Sequence, residues 1–206
     1  MIKKLLSLST SVVFAIVVLL TVTLTTLGNV KEYMSVKSAR DNGRLTEIVL
    51  TDKDFQLESM RSREPQKGWK ATDGDPQLIY AKDMMFTSLE FYMEYSVYPG
   101  EMLLYYSTPQ ENFYSNDKMA VITPVKGKDG WFGVSIPLTE VNSIRIDPTI
   151  TAGNHMIFGD FVINSQVQLA DFMVPDAYAM LSVMLYSLVL FAIFSFIKDF
   201  FTKFSK

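Results

Sequence analysis

The sequence predicts a mainly β fold: an extracytoplasmic antiparallel β-sandwich or jelly roll, flanked by one N-terminal and one C-terminal transmembrane helix. Three observations predict it. Uncharged apolar runs stand near both ends of the chain. Between them, short runs of β-type residues recur, with clear apolar–polar alternation in one of them. Turn-forming clusters of Gly, Pro, Asp and Asn separate those runs. Alternation is the signature of half-buried strands, and long uncharged runs are the signature of membrane helices.

The first helix comes from residues 5–28. No charged residue occurs from Leu5 to Val30, and about 20 helical residues cross a hydrocarbon core. A cleaved signal peptide is the rival reading, because Lys3 and Lys4 give a basic start. The run exceeds the roughly 7–15 residues of a signal h-region and lacks a good small-residue cleavage site, which favours a signal anchor. Residues 29–44 read as a polar, helix-forming juxtamembrane stalk that ends at the turn pair Asn42-Gly43.

The sandwich is placed at residues 45–165. Eight β-like runs are expected: 45–50, 77–81, 88–96, 102–108, 119–124, 131–138, 143–147 and 155–163. Leu89, Phe91, Met93 and Tyr95 alternate with Glu90, Tyr92 and Glu94. Asp73-Gly74-Asp75-Pro76, Pro99-Gly100, the run from Lys126 to Gly130, and Thr151 to Asn154 mark turns. Short strands at this spacing indicate a sandwich or jelly roll.

Residues 166–176 form a linker. The second span covers residues 177–197, with Pro175 and Asp176 suited to a helix start. Residues 198–206 are a basic amphipathic tail, with Phe200, Phe201 and Phe204 on one face and Lys198, Lys203 and Lys206 around them, a pattern for the headgroup layer. Lysines in both tails place both termini in the cytoplasm and the middle of the chain outside. Neither span carries a central charge, which argues against a stand-alone channel or pump. Thr21, Thr25, Ser182 and Tyr186 are candidates for packing against a partner helix; the alternative is that the hydroxyls satisfy their own helix backbone.

The formal charge of −3 argues against a nucleic-acid partner, which selects a basic face. Residues 45–165 hold ten Lys/Arg and seventeen Asp/Glu, a balance of −7, read first as a solvated surface. With no cysteine there is no disulfide, thiolate metal site or Cys nucleophile. The single histidine, His155, has no nucleophile marked beside it and reads as a turn or edge residue. No catalytic residue, cofactor or metal is expected. Asp73, Asp75 and Asp147 leave three readings open: strand-end turns, a calcium site, or a glycosidase pair. Turn structure is favoured, with Arg145 pairing to an acid on a neighbouring strand.

Aromatic rings offer platforms for sugar C–H faces and also build cores. Trp69, Tyr105, Tyr106, Tyr114 and Trp131 are the candidates for glycan stacking. Tyr105 and Tyr106 are adjacent in a strand, so they point to opposite faces.

"GWKATDGDPQLIY" (Gly68–Tyr80), "SLEFYMEYS", "LLYYSTPQENFYSN" (Leu103–Asn116), "WFGVSIPLTEVNSIRIDPT" (Trp131–Thr149) and "MIFGDFVIN" (Met156–Asn164) together resemble a small β-sandwich found beside, or fused to, bacterial membrane glycosyltransferases of surface-polysaccharide assembly. Stand-alone members of that group are accessory membrane proteins. The resemblance covers residues 55–165 and makes Asp75, Pro76, Arg145, Asp147 and Pro148 the family-type positions, either structural or glycan-facing. It implies a two-span protein of the bacterial plasma membrane. It also implies a multi-span glycosyltransferase using a polyprenyl-phosphate sugar as partner, with a glycan or lipid-linked glycan as ligand. No multi-span catalytic half is present here, so the partner would supply the catalysis. A free-standing carbohydrate-binding or envelope-sensing module and a homo-oligomeric structural membrane protein are the alternatives.

Overall fold

The computed structural model describes residues 9–62, 68–173 and 177–204. Lys3, Lys4, Pro175, Asp176 and Lys206, used above for anchoring and orientation, lie outside the described residues, as do the side chains of Phe201, Lys203 and Phe204. The chain divides into two compact units. One comprises residues 1–34 and 167–206, the other residues 35–166.

The larger unit is an antiparallel β-sandwich nearly closed into a barrel. Its strands are β1 (Ile48–Leu50), β2 (Gln56–Glu58), β3 (Met60–Ser62), β4 (Trp69–Ala71), β5 (Gln77–Tyr80) and β6 (Met84–Tyr95). Then come β7 (Met102–Ser107), β8 (Met119–Pro124), β9 (Trp131–Val141), β10 (Ser143–Asp147) and β11 (His155–Ile163). All eight predicted strands form. β2, β3 and β4 are additional, and at three residues each they are too short to show a period.

One layer runs β2-β5-β10-β7-β8 and continues into the other, β9-β6-β11-β4-β3, with β1 added to β11. The layers join at two corners. At the first, β8 reaches β9 through the pairs Thr123–Gly133 and Pro124–Phe132. At the second, the segment from Gln56 to Ser62 turns at Ser59. Its first half pairs β5 and its second half pairs β4. Ser59 adopts φ 53°, a left-handed conformation uncommon for a non-glycine residue. Its hydroxyl donates to Asp73 Oδ2 at 2.8 Å and its carbonyl accepts from Thr72 N at 2.8 Å, which hold the corner.

The alternation of β6 works as expected: Leu89, Phe91 and Met93 are buried, and Glu90, Tyr92 and Glu94 face away from the core. A register shift between Phe86 and Ser88 lets Phe86, three residues before Leu89, also point inward. Phe91 is the hub of the core. Its ring stacks on Phe161 at 5.1 Å and meets Phe132 at 6.0 Å and Phe158 at 6.5 Å.

The helix α1 (Thr10–Asp41) starts within the first apolar run and takes in most of the predicted stalk; its residues up to Met34 belong to the smaller unit and those from Ser35 to the larger. Val36, Ala39 and Leu45 are buried there. Gly43, at φ 69°, ends the helix, and Arg44 N and Leu45 N return to Ala39 O; this left-handed cap is what the Asn42-Gly43 turn signal becomes. Arg40 Nη2 donates to the carbonyls of Asn164 and Ser165 at 2.9 and 3.0 Å. Both chain connections of the sandwich are thereby tied at one end. A short helix, α2 (Leu169–Met173), lies in the linker, and α3 (Ala177–Phe204) continues into the basic tail as far as Phe204.

Both α1 and α3 are long and apolar enough to cross a membrane. They pack on each other through Phe14 and Phe191, edge to face at 5.3 Å. Val13, Thr21 and Ser187 are buried on them. Thr21 and Thr25 hydroxyls donate to Val17 O and Thr21 O, so they satisfy their own helix. Ser182 is half-buried and Tyr186 is exposed.

Candidate functional site: an aromatic cleft at the end of the sandwich

The end of the sandwich opposite the chain connections is open. A cleft of about 220 Å³ lies there between the layers. Tyr95, at the end of β6, and Tyr98, in the loop after it, stand on its rim at 40% and 72% exposure. Their rings meet edge to face at 6.3 Å. The β8–β9 hairpin supplies Lys128, Asp129 and Trp131. Met102, Ile122 and Phe132, all core residues, also line it.

Tyr95 occupies the inward register of β6, and its ring reaches Phe132 at 6.2 Å. It is exposed because the strand ends there. Trp131 occupies the outward register of β9, beside Tyr92 at 6.3 Å. Lys128 Nζ stands 5.2 Å from the Trp131 ring centroid and 2.7 Å from Glu90 Oε2, so the hairpin carries a fixed cation next to an aromatic face.

The rim loop is held from beneath by Asn154 and Thr149, both almost fully buried. Asn154 Oδ1 accepts from Val97 N at 3.1 Å and from the Ser96 hydroxyl at 3.3 Å. Asn154 Nδ2 donates to Val97 O at 2.8 Å and to Thr149 Oγ1 at 3.3 Å. The Thr149 hydroxyl donates to Pro99 O at 2.7 Å. Gly100 has φ 78°, and a side chain there would meet Ile150 Cγ1 at 2.6 Å. The loop that presents Tyr98 is therefore preorganised by buried hydrogen bonds.

Arg145 and Asp147 lie on a different surface, the outer face of the β5-β10-β7 layer, while Pro76 and Pro148 have the inward parity of Leu78 and Ile146. Antiparallel pairing of Ile146 with Leu78 brings the two Asp-Pro pairs, Asp75-Pro76 and Asp147-Pro148, side by side. Both prolines are buried. Arg145 pairs with Asp147 on its own strand, Nη2 to Oδ2 at 2.8 Å, rather than with an acid on a neighbouring strand. The two are i and i+2, on one face of β10. The guanidinium lies 4.3 Å from the Tyr105 ring centroid and 5.3 Å from that of Tyr114. The hydroxyls of Tyr114 and Ser143 are hydrogen-bonded. Asp147 Oδ1 and Arg145 Nε are buried with no hydrogen-bond partner. Burial pushes the Asp147 carboxyl above its ordinary value, Arg145 pulls it down, and Asp75 adds to the rise.

The stacking candidates thus separate. Trp131 lies at the cleft. Tyr105 and Tyr114 flank Arg145. Tyr106 packs against the core, on the face opposite Tyr105. Trp69 is half-buried, its indole N–H donating to Asp52 Oδ2 at 2.6 Å. Asp73 is occupied as a turn former, accepting from Asp75 N and Ser59 Oγ. His155 begins β11, opposite Lys70. Among the described residues, no three His, Asp or Glu side chains converge as a metal-ligand set. Sequence reasoning misses Tyr95 and Tyr98. The only local signal was the Pro99-Gly100 turn, which fixes a loop beside them without showing what the loop faces.

No protein-family model matches the sequence, and no curated protein matches it. Among solved structures, the chain is similar to a family 29 carbohydrate binding module complexed with cellulohexaose. The two share 13% identity over 64% of this chain and 99% of that one, with a TM-score of 0.40. It is also similar to a low-affinity xylan binding module from Roseburia intestinalis, at 6% identity over 57% of this chain and 94% of that one, with a TM-score of 0.37. A third is chitosan-binding module 1 of a chitosanase/glucanase from Paenibacillus sp. IK-5, at 11% identity over 58% of this chain and 94% of that one, with a TM-score of 0.34. With scores this low and identities this small, nothing about ligand passes from them to this chain.

Proposed function

We propose that the β-sandwich is a carbohydrate-binding module held at the membrane by α1 and α3. We further propose that the chain is a non-catalytic accessory subunit of a multi-span glycosyltransferase of surface-polysaccharide assembly. The observation that carries the binding role is the cleft rimmed by Tyr95 and Tyr98. Two exposed rings, one at the end of β6 and one on the preformed loop after it, are unfavourable for stability, because they leave apolar area in water. They suit a ligand with C–H faces and hydroxyl edges. Asp129 of the β8–β9 hairpin lines the same rim, while the Lys128 ammonium beside it is held by Glu90. The cleft is smaller than the roughly 300–1,000 Å³ of drug-sized sites, a size for part of a glycan.

The accessory role is supported by two apolar helices of spanning length and by the resemblance of residues 55–165 described above. In this role the sandwich would orient glycan or stabilise the enzyme, and the partner would transfer the sugar.

The test is gentle detergent extraction of the tagged full chain from its native membrane, with mass spectrometry of the copurifying proteins, and glycan-array binding of the same material. A stoichiometric multi-span glycosyltransferase and array binding lost in Tyr98→Ala are the expected results. A clean homo-oligomer with no enzyme attached would sink the accessory role. An array signal indifferent to Tyr98→Ala would sink the cleft.

A further inference from the structure

We infer that the cleft takes the terminal residue of a glycan and selects one that bears a methyl group, as in an N-acetyl or 6-deoxy sugar. This rests on the carbohydrate-binding reading of the same site. Three observations lead to it.

The first is position. The cleft sits at the end of the sandwich, between the Tyr98–Gly100 loop and the Lys128–Gly130 hairpin. It does not run along a sheet face, where an internal stretch of polysaccharide would find a continuous track. A small site at an end receives an end.

The second is the distribution of polarity. Lys128 and Asp129 belong to the exposed hairpin, whereas Met102, Ile122 and Phe132 belong to the core, at 3%, 3% and 6% exposure. A sugar hydroxyl directed at those core residues would lose its water without gaining a partner. A methyl group directed there gains the transfer energy of its own burial.

The third is rigidity. Asn154 and Thr149 fix the rim loop before any ligand arrives. A preformed cleft discriminates by fit, because it does not reshape around a bulkier or wetter group.

The experiment uses the full chain in detergent micelles, with methionine methyl groups labelled for NMR. The chain has twelve methionines, and the volume-conserving Met102→Leu variant identifies the Met102 resonance. Four sugars are titrated as two pairs. L-rhamnose is set against L-mannose, its 6-hydroxy counterpart, and N-acetylglucosamine against glucose. In at least one pair the methyl-bearing sugar is expected to bind about fourfold tighter or better, the effect of burying one methyl, and to shift the Met102 resonance. The pair that responds identifies which methyl source the cleft accepts. Chitin oligosaccharides longer than the monosaccharide should show no gain in affinity. Equal affinities within both pairs, an unmoved Met102 resonance, or affinity that rises steadily with chain length would overturn this inference while leaving sugar binding intact. Silence from all four sugars and the oligosaccharides would overturn it together with the reading it rests on.

Discussion

Asp147 is under opposing pressures. It is 8% exposed, burial raises its pKa above the ordinary 3.8, Arg145 lowers it, and Asp75 raises it again. The net shift is upward, so the folded state holds this proton more tightly than the unfolded chain. The Asp147 contribution to stability is therefore fullest in acid and falls as pH rises from about 3.8 through the raised folded value. The exposed turn formers Asp54 and Asp117 act in the opposite sense. Thr51 N–H lowers the first and Ser115 lowers the second, so their contributions are lost as pH falls. Subtracting the melting temperature of Asp147→Asn from that of the native chain, point by point from about pH 3 to about pH 6, cancels them. The difference should decline with rising pH. A flat difference would show that Asp147 titrates alike in both states.

At the scale of the element, the loop from Ser96 to Gly100 is ordered by a side chain on another segment. Asn154→Ala leaves Val97 N and Val97 O without their buried partner. It should cost about 1–3 kcal/mol in denaturant melts and weaken any ligand contact made by Tyr98. A change within about 0.5 kcal/mol, the range of an ordinary surface substitution, would show that the loop orders itself. This dependence also explains what the sequence conceals. The eight predicted strands are legible as β-type runs between turn clusters, with alternation clear in β6, and Leu104 and Tyr106 facing inward put Tyr105 outside by parity alone. The cleft is assembled from the ends of β6, β7, β8 and β9, and no local pattern reports which strand ends meet. Trp131 was visible as a candidate because it is rare. Tyr95 follows three core positions in strict alternation and reads as a fourth.

At the scale of the molecule, two helices of spanning length lie at either side of the sandwich in sequence. If α1 and α3 span, the lysines of the two tails favour cytoplasmic ends, while Lys31, Lys37, Arg40 and Arg44 lie just past the first apolar run and weaken the asymmetry. The absence of cysteine makes a direct test clean. Lys126→Cys, on the exposed hairpin, should react with a membrane-impermeant maleimide in intact cells. Reaction only after permeabilisation would reverse the orientation. The two long apolar helices were legible from composition. The unbroken course of α1 was not, because polar residues after a span read equally well as a stalk or as a helix that joins the next domain.

The left-handed turn at Ser59 has a consequence for self-association. An uncovered sheet edge is a template for pairing with another chain. Here one seven-residue segment, bent at a single residue, covers β5 with its first half and β4 with its second. Its own exposed residues, Gln56, Glu58, Arg61 and Ser62, are polar or charged, which discourages a further strand from adding. Releasing that segment uncovers two edges at once, one in each layer. The corner is therefore a guard against edge-to-edge aggregation, and a folding chain stays open to domain swapping at both edges until Ser59 has turned.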